Sequence, residues 1–383
     1  MDKRYPMPES ANQYIRENKE ELLTLIKTLT LIPSPSNHEE KRAEFCKQWL
    51  EKQGCKGVYI DEACNVVYPY KCEKPKKVIA FLAHIDTVFP DQVIEWKQEG
   101  NIVNAMGVGD DTTSVAVLMM IARYVTKCDY DTPYGIVFVG NAGEEGLGNL
   151  KGSRQIVKEY GDRMYNFIAF DGSMTHCTVN SVGSQRYKIT VRTEGGHSYG
   201  DYGNRNAIQY AASIIQTLYA MKVPQDAKTT YNVGMISGGR SVNTIPPECS
   251  FLYEFRSAEG KCLKTMENMF CSVIKAYQTM GIEVETEVLS VRPCKGKVDE
   301  DRQQELWDRC IEIIKYYHEA DDIILDVNST DANIPWSEGI PSTTIGTVLC
   351  GAAHTKEEWI DISTIEEGFH IAMNIVLSYL DLR

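Results

Sequence analysis

Short apolar runs alternate with amphipathic segments through the first half of the chain. Apolar runs of six or seven residues bounded by polar turns predict buried strands, and the 3.6-residue periodicity between them predicts helices. The predicted elements are helices at 10–31 and 38–53, a strand at 78–83, a helix at 112–127, a strand at 134–140, a helix at 150–160 and a strand at 167–172. This alternation is typical of an α/β domain whose mostly parallel sheet is covered by helices.

The pattern changes after about residue 181. The next elements are predicted to be a strand at 186–195, a helix at 204–221, strands at 229–237 and 249–257, a helix at 261–280 and a strand at 282–291. Their β-α-β-β-α-β order is ferredoxin-like and self-contained. We therefore predict an inserted α+β domain at 182–293, with 1–181 and 294–383 forming the α/β domain. The second segment of the α/β domain, 294–383, is predicted to have a helix at 301–318, strands at 323–327 and 342–346, and a last helix that begins with a Ser363–Glu366 capping box.

Composition narrows the possible partners. The 383 residues, 43% hydrophobic and 24% charged, suit a globular protein of two domains. A net charge of −13 disfavours nucleic acid, and no apolar segment approaches the roughly 20 residues of a membrane span. The N-terminus is polar, and the twelve cysteines are scattered without a CxxC pair. These features predict a cytoplasmic protein with reduced cysteines.

Polar side chains follow the predicted strands at the points where the strands end. His84 and Asp86 are two positions apart, so they project to the same side at the end of one strand. Because ligands in parallel sheets bind at the carboxyl ends of the strands, we expect these side chains to converge on one edge. The converging set is His84, Asp86, Asp110, Asp111, Glu144, Glu145 and Asp171.

Each of these residues has a structural alternative when it is taken alone. An aspartate at a strand end can be a helix cap or part of an ion pair, Glu144–Glu145 can be a solvated face, and His354 can be a loop histidine. Together they supply nitrogen and oxygen ligands without thiolate, a set that suits zinc, with manganese or cobalt as substitutes. A shared carboxylate can hold two ions about 3.5–4 Å apart. The set is therefore compatible with a site for divalent metal, including one that holds two ions.

Eight short motifs occur in order along the chain: HIDTV (84–88), MGVGDD (106–111), GEEGLG (143–148), FDGS (170–173), GGHSYG (195–200), VNTIPPE (242–248), STDAN (329–333) and AAHTKEEW (352–359). They resemble the motifs of the co-catalytic di-zinc exopeptidases and deacylases, a family that includes peptidase T, carboxypeptidase G, aminoacylase and acetylornithine deacetylase. The resemblance runs from about residue 20 to the C-terminus. It implies a zinc-exopeptidase-like α/β catalytic domain interrupted by a ferredoxin-like lid, with two divalent metal ions per chain.

The resemblance implies a ligand set for the two ions. His84 and Asp171 would hold one ion, Glu145 and His354 the other, and Asp110 would bridge both. It also implies a cis peptide bond after Asp110. Among the relatives, the place of Met106 is often taken by arginine and that of Thr112 by lysine. Neither residue is a metal ligand, so we expect the chemistry to be retained.

The resemblance also implies the catalytic groups. Glu144 would be the general base for a water between the ions, and Asp86 would orient the ring of His84. His197 would polarise the scissile carbonyl in a partner's active site, which requires a homodimer formed through the inserted lid. Asn243 and Arg256 match positions that bind the carboxylate or carbonyl of a substrate.

Structural alternatives remain for the residues of the inserted domain. His197 can be an ordinary loop histidine, Asn243 a turn residue and Arg256 a member of a surface ion pair. The other histidines match no functional motif and are predicted to be structural: His38, His176, His318 and His370.

Three functions are compatible with this constellation. The first is metal-dependent hydrolysis of an amide bond in short peptides by a di- or tripeptidase-like exopeptidase. The second is removal of the acyl group from an N-acyl amino acid. A non-catalytic binding protein on the same fold is the third. The presence of Glu144 and of a suitable residue at each ligand position favours an enzyme over a binding protein.

Overall fold

The computed structural model describes residues 7–73, 76–318 and 323–382. It divides into two compact units, the first formed by Met1–Asn180 with Gly296–Arg383 and the second by Ser181–Lys295. The α-helices of the described residues are α1 (Glu9–Glu17), α2 (Lys19–Thr30), α3 (Glu40–Lys52), α4 (Thr113–Cys128), α5 (Lys151–Tyr160), α6 (Ala207–Tyr219), α7 (Gly260–Thr279), α8 (Glu300–Tyr317), α9 (Asn333–Ser337) and α10 (Ile365–Leu377).

Within the described ranges, the strands form one large sheet and three smaller ones. In chain order they are β1 (Tyr59–Ile60), β2 (Val66–Tyr70), β3 (Val78–His84), β4 (Lys97–Glu99), β5 (Ile102–Asn104), β6 (Gly135–Asn141), β7 (Met164–Phe170), β8 (His176–Ser181), β9 (Gly183–Arg192), β10 (Gly196–His197), β11 (Thr229–Gly238), β12 (Thr244–Ile245), β13 (Glu248–Ser257), β14 (Glu283–Arg292), β15 (Ile324–Asn328), β16 (Ser342–Ile345), β17 (Cys350–Gly351) and β18 (Trp359–Asp361).

The large sheet of the first unit has the strand order β1-β2-β6-β3-β7-β16-β8-β15. Its central strands β6, β3, β7 and β16 pair in parallel, whereas β2 and β8 pair antiparallel at the flanks. Every residue of β3 is buried, and alternate side chains such as Phe81 and Leu82 enter two different apolar cores. Helices therefore cover both faces, and the predicted α/β sheet is confirmed.

A second sheet of this unit, β17-β18-β5-β4, is antiparallel. It was not predicted from the sequence, because its strands have only two or three residues each. It carries the loop between β17 and β18, which contains His354. No helix within the described ranges is long and apolar enough to cross a membrane.

The second unit contains a four-stranded antiparallel sheet of order β11-β13-β9-β14. Its elements follow one another as β9-α6-β11-β13-α7-β14, with the short pair β10–β12 beside them. Alternate residues of the central strands, among them Ile189, Phe251 and Phe255, are buried in one core with α6 and α7. One face of the sheet is therefore covered by helices.

Two predictions about helices are wrong: the continuity of the first helix and the capping of the last. The helix expected at 10–31 is divided at Asn18 (φ −110°, ψ 12°), whose side-chain amide donates to the carbonyl of Tyr14 and accepts from Arg123. The expected capping box is not formed, because the hydroxyl of Ser363 donates to Asp361 at 2.6 Å and α10 begins after Thr364. Both differences arise from contacts that helical periodicity does not encode.

Candidate metal centre

The carboxyl ends of the parallel strands bring the predicted ligands to one edge of the large sheet. β3 ends at His84, Glu144 and Glu145 follow β6, and Asp171 follows β7. The turn before α4 supplies Asp110, which is joined to Asp111 by a cis peptide bond, as predicted. The loop between β17 and β18 adds His354.

Asp110 lies between the two histidines. Its Oδ1 is 2.9 Å from Nε2 of His84, and its Oδ2 is 3.2 Å from Nε2 of His354. Glu145 lies beside His354, with 2.9 Å between Oε1 and Nε2, and Asp171 lies 4.0 Å from Nε2 of His84. The structure therefore places the five predicted ligands around two adjacent positions that share Asp110.

The ligand atoms meet the geometric requirement for metal binding. Three groups each bring their ligand atoms within 4.8 Å of one another: His84 with Asp110 and Asp171, Asp110 with Glu145 and His354, and His84 with Glu144 and Glu145. Ligand atoms that each lie about 2.0–2.2 Å from one zinc ion are about 3–4 Å apart. The donor atoms are imidazole nitrogens and carboxylate oxygens, so the residues fit a pair of zinc-like ions.

The electrostatics also favour cations. Burial and the negative charge of Asp110 raise the pKa of Asp171 to about 7. Hydrogen bonds with Asp110 and Glu145 raise the pKa of His354 to about 10. Without ions these groups would bind protons, which would relieve the repulsion between the carboxylates, and a divalent ion can replace those protons.

The main-chain carbonyl of Asp86 orients the ring of His84. It lies 3.0 Å from Nδ1, whereas the carboxylate of the same residue lies 3.6 Å away. A carbonyl oxygen only accepts hydrogen bonds, so Nδ1 carries a proton and Nε2 faces the ligand position.

The carboxylate of Asp86 has a different task. It is fully buried and accepts hydrogen bonds at 3.0 Å from the main-chain N–H groups of both Glu144 and Glu145, and at 2.7 Å from the hydroxyl of Ser36. It therefore fixes the turn that presents two adjacent glutamates, each 5% exposed. The alternation pattern that suggested Asp86 gave no indication of this role.

Arg42 forms hydrogen bonds beside the metal centre and was not identified from the sequence as a functional residue. Its guanidinium is fully buried and donates to the carbonyls of Ile32 and Ile85 and to the hydroxyl of Thr112. Thr112 is one of the two departures from the relatives' motif. In this chain the hydroxyl of Thr112 accepts a hydrogen bond from Arg42, a residue of α3. A positive charge therefore lies beside the turn although the lysine of the relatives' motif is replaced by Thr112.

In the second unit, the structure brings His197 and Asn243 together. Residues Gly196–His197 pair with Thr244–Ile245, and the N–H of Ser198 donates to the carbonyl of Asn243 at 3.0 Å. The Nδ1 of His197 accepts from two main-chain N–H groups of its own turn, at 3.3 and 3.2 Å. Nε2 of this exposed ring therefore carries the proton and is a hydrogen-bond donor.

Arg256 lies away from this pair. Asn243 is close in the chain to the Glu248 end of β13, and His197 is paired with Thr244, next to Asn243. Arg256 is eight residues further along this strand, so about 26 Å separates Arg256 from Glu248 at 3.3 Å per residue. Its guanidinium forms two hydrogen bonds of 3.1 Å with Glu254. The structure therefore does not group Arg256 with His197, a predicted catalytic residue, and Asn243, the other predicted substrate-binding residue.

The remaining histidines have protein partners in the described structure. His176 is paired with Asp326 at 2.8 Å, His318 with Glu367 at 2.6 Å, and Nδ1 of His370 with the carbonyl of Glu366 at 2.7 Å. His38 donates its main-chain N–H to Pro35.

Comparison with known proteins identifies the family. Residues 80–378 match the model of peptidase family M20/M25/M40. Among curated proteins, the N-formyl-4-amino-5-aminomethyl-2-methylpyrimidine deformylase of Halalkalibacterium halodurans is 22% identical over 97% of this chain and 97% of its own. The chain therefore belongs to peptidase family M20/M25/M40 and is a hydrolase.

Solved structures share the fold. A tripeptidase of Staphylococcus aureus has a TM-score of 0.72 at 21% identity, with 94% of this chain and 98% of that chain covered. The YXEP protein of Bacillus subtilis, described as a dinuclear metal-binding peptidase, has a TM-score of 0.63 at 15% identity, with 94% and 99% covered.

Proposed function

We propose that this M20-family chain is a two-metal exopeptidase that hydrolyses an amide bond in short peptides. The observation that carries the proposal is the position of Asp110, whose two carboxylate oxygens face the histidines of two adjacent ligand groups. A carboxylate placed in this way can serve two ions at once. The peptidase and metal-binding descriptions of the two similar solved structures support this choice.

His84 and Asp171 would hold one ion, Glu145 and His354 the other, and Asp110 both. Zinc fits the nitrogen and oxygen donors, and manganese or cobalt are the expected substitutes. When bound, such ions lower the pKa of a water molecule and polarise the substrate carbonyl.

Glu144 is the proposed general base. Its carboxylate would take a proton from the attacking water and deliver it to the nitrogen of the leaving amine. Its placement supports this role, because Asp86 holds its main chain beside that of Glu145. Adjacent carboxylates on one fixed turn can therefore serve different tasks, one binding metal and the other moving a proton.

The second unit is proposed to complete the active site of another copy in a homodimer. The Nε2–H of His197 would donate to the scissile carbonyl, Asn243 would contact the substrate beside it, and Arg256 would bind a substrate carboxylate. The separation of about 26 Å along β13 supports a division of these residues between two sites. The edge strand β11, with Met235 and Ile236 65% and 55% exposed, supports pairing between copies.

We also propose a cytoplasmic location. Twelve free cysteines, several of them exposed or half-buried, suit a reducing compartment.

The proposed reaction is tested by measuring hydrolysis of a panel of di- and tripeptides and of N-acyl amino acids. Metal-free protein would be reconstituted with zinc, manganese or cobalt, with chelator as the control. Chelator-sensitive hydrolysis of peptides supports the proposal, whereas hydrolysis of N-acyl amino acids alone identifies a deacylase. Uptake of ions without hydrolysis of either class would contradict both enzymatic readings and favour a binding protein.

A further inference from the structure

Glu358 is a buried carboxylate beside the turn that carries Asp110. It lies four residues after His354, in the loop between β17 and β18, and is 1% exposed. Its Oε2 accepts a hydrogen bond of 2.8 Å from the N–H of Gly107. Its Oε1 accepts two more, of 2.8 Å from Gly109 and 2.9 Å from Asp110.

These three N–H groups belong to the turn that carries the shared ligand. The turn needs glycine at two places: Gly107 has a left-handed φ of 71°, and a Cβ at Gly109 would lie 2.7 Å from the Cβ of Cys350. Buried N–H groups ahead of a helix have no intrahelical acceptor and need another one. Glu358 supplies that acceptor for all three.

Glu358 also holds the segment before the turn, because its main-chain carbonyl accepts from the N–H of Ala105 at 3.1 Å. One residue thus contacts the chain at Ala105, Gly107, Gly109 and Asp110. His354 is on the same loop as Glu358. One short segment therefore carries both a proposed metal ligand, His354, and the hydrogen-bond acceptor for the turn that contains Asp110.

We propose that Glu358 is a positioning residue of the metal centre. It fixes the turn so that the two oxygens of Asp110 face His84 and His354 at the same time. Charge-assisted hydrogen bonds to main-chain N–H groups are strong and directional, and three of them define the position of the Asp110 main chain. The inference rests on the proposed two-metal function, since the advantage of the geometry is the sharing of Asp110 between ions.

The test compares Glu358→Gln with Glu357→Gln. The first variant keeps the size of the side chain but replaces one acceptor oxygen with an NH₂ group, so at least one of the three N–H groups loses its acceptor. The second makes the same change at the exposed neighbouring residue. The affinities of the metal-free proteins for zinc are measured by competition with a chromophoric chelator, and the absorption spectra of the cobalt-loaded forms are compared.

The proposal predicts that Glu358→Gln weakens zinc binding about 10- to 100-fold and changes the cobalt spectrum, whereas Glu357→Gln matches the parent protein. Zinc affinities of the two variants within about threefold of each other, with identical cobalt spectra, would overturn it, even if the melting temperature of the metal-free Glu358 variant had fallen. If Glu358→Gln does not fold, Glu358→Asp keeps the charge but shortens the reach, and the same criterion applies. Parent protein that binds no ions would instead refute the two-metal function itself.

Discussion

Nε2 of His84 and Oδ1 of Asp110 are 2.9 Å apart, and the other oxygen of the same carboxylate lies 3.2 Å from His354. Asp110 is therefore the only one of the five predicted ligands that contacts both histidines among the described residues. The two halves of the centre depend on one side chain, so they are expected to be lost together.

Asp110→Asn tests this dependence. The amide keeps the shape of the side chain but removes the negative charge and one of the two acceptor oxygens, so the side chain can no longer bind two ions at once. We expect zinc affinity to fall by more than about 100-fold, because loss of groups that merely support ligands already costs 10- to 100-fold. Elemental analysis of the purified variant is the measurement, with the exposed Asp162→Asn as control. Two tightly bound ions in Asp110→Asn would contradict the shared-ligand geometry.

The adjacent residues Glu144 and Glu145 are expected to give different phenotypes. Glu144→Gln removes the proposed base, so the kcat should fall about 10²- to 10⁴-fold while two ions remain bound. Glu145→Gln removes a ligand, so the metal content should fall together with the activity. Metal analysis beside steady-state kinetics separates the two effects. A Glu144→Gln variant with full activity would show that the base is wrongly assigned.

Asp86→Asn should disturb both glutamates at once. The substitution turns one of the acceptors for the N–H groups of Glu144 and Glu145 into a donor, in a fully buried position. An unsatisfied buried N–H costs about 1–3 kcal/mol, so the turn is expected to shift. Both kcat and zinc affinity should fall about 10- to 100-fold. Ser36→Ala, which removes only the third hydrogen bond to Asp86, is the matched control and should change both values less.

The sequence reveals the ligand positions better than the groups that hold them. His84, Glu145 and Asp171 follow apolar strands, and the edge to which they converge is a consequence of parallel pairing that strand patterns already predict. Arg42 and Glu358 gave no such signal. One lies on an ordinary amphipathic helix and the other beside Glu357 in a charged loop, and their roles depend on burial that arises only from tertiary packing.

The same limit applies to the prediction for Asp86. The period of two correctly places its side chain on the side of His84. The period of two does not predict that the main-chain carbonyl of Asp86 contacts the His84 ring while its carboxylate accepts from the N–H groups of Glu144 and Glu145. The segment that contains these two glutamates comes from a distant part of the chain.

The stability of the metal-free protein should decrease as the pH rises. The pKa of Asp171 and that of Glu358 are both raised to about 7, chiefly by burial, from ordinary values of 3.8 and 4.5. Between about pH 4 and 7 the folded state therefore binds more protons than the unfolded state, and raising the pH destabilises it. The pKa of His354, raised to about 10 by Asp110 and Glu145, acts in the same direction: its stabilisation is complete below 6.5 and is lost toward pH 10.

Asp86 does not offset this trend near neutrality. Burial raises its pKa, but the His84 ring, the Ser36 hydroxyl and the Glu145 N–H together lower it below 3.8, so its stabilising contribution is lost only in more acidic solution. We expect the Tm in excess chelator to be higher near pH 5.5 than near pH 8, and added zinc to restore the Tm at the higher pH. A Tm in chelator that is equal or higher at about pH 8 would contradict the raised pKa values.

We propose that His197 acts in the active site of the partner subunit of a homodimer. Mixing two inactive variants tests this role. His197→Ala and Glu144→Gln should each have little activity alone, because one lacks the carbonyl donor and the other lacks the base. If His197 acts in the partner's site, a mixed dimer contains one site with both groups intact. Random exchange of equal amounts gives half mixed dimers with one complete site in two, so activity should recover to about a quarter of the parent value. Recovery should not occur with Glu144→Gln mixed with the double variant. If His197 acts within its own chain, the first mixture stays inactive although size-exclusion chromatography shows that subunits have exchanged, and the proposed role across the dimer is then wrong.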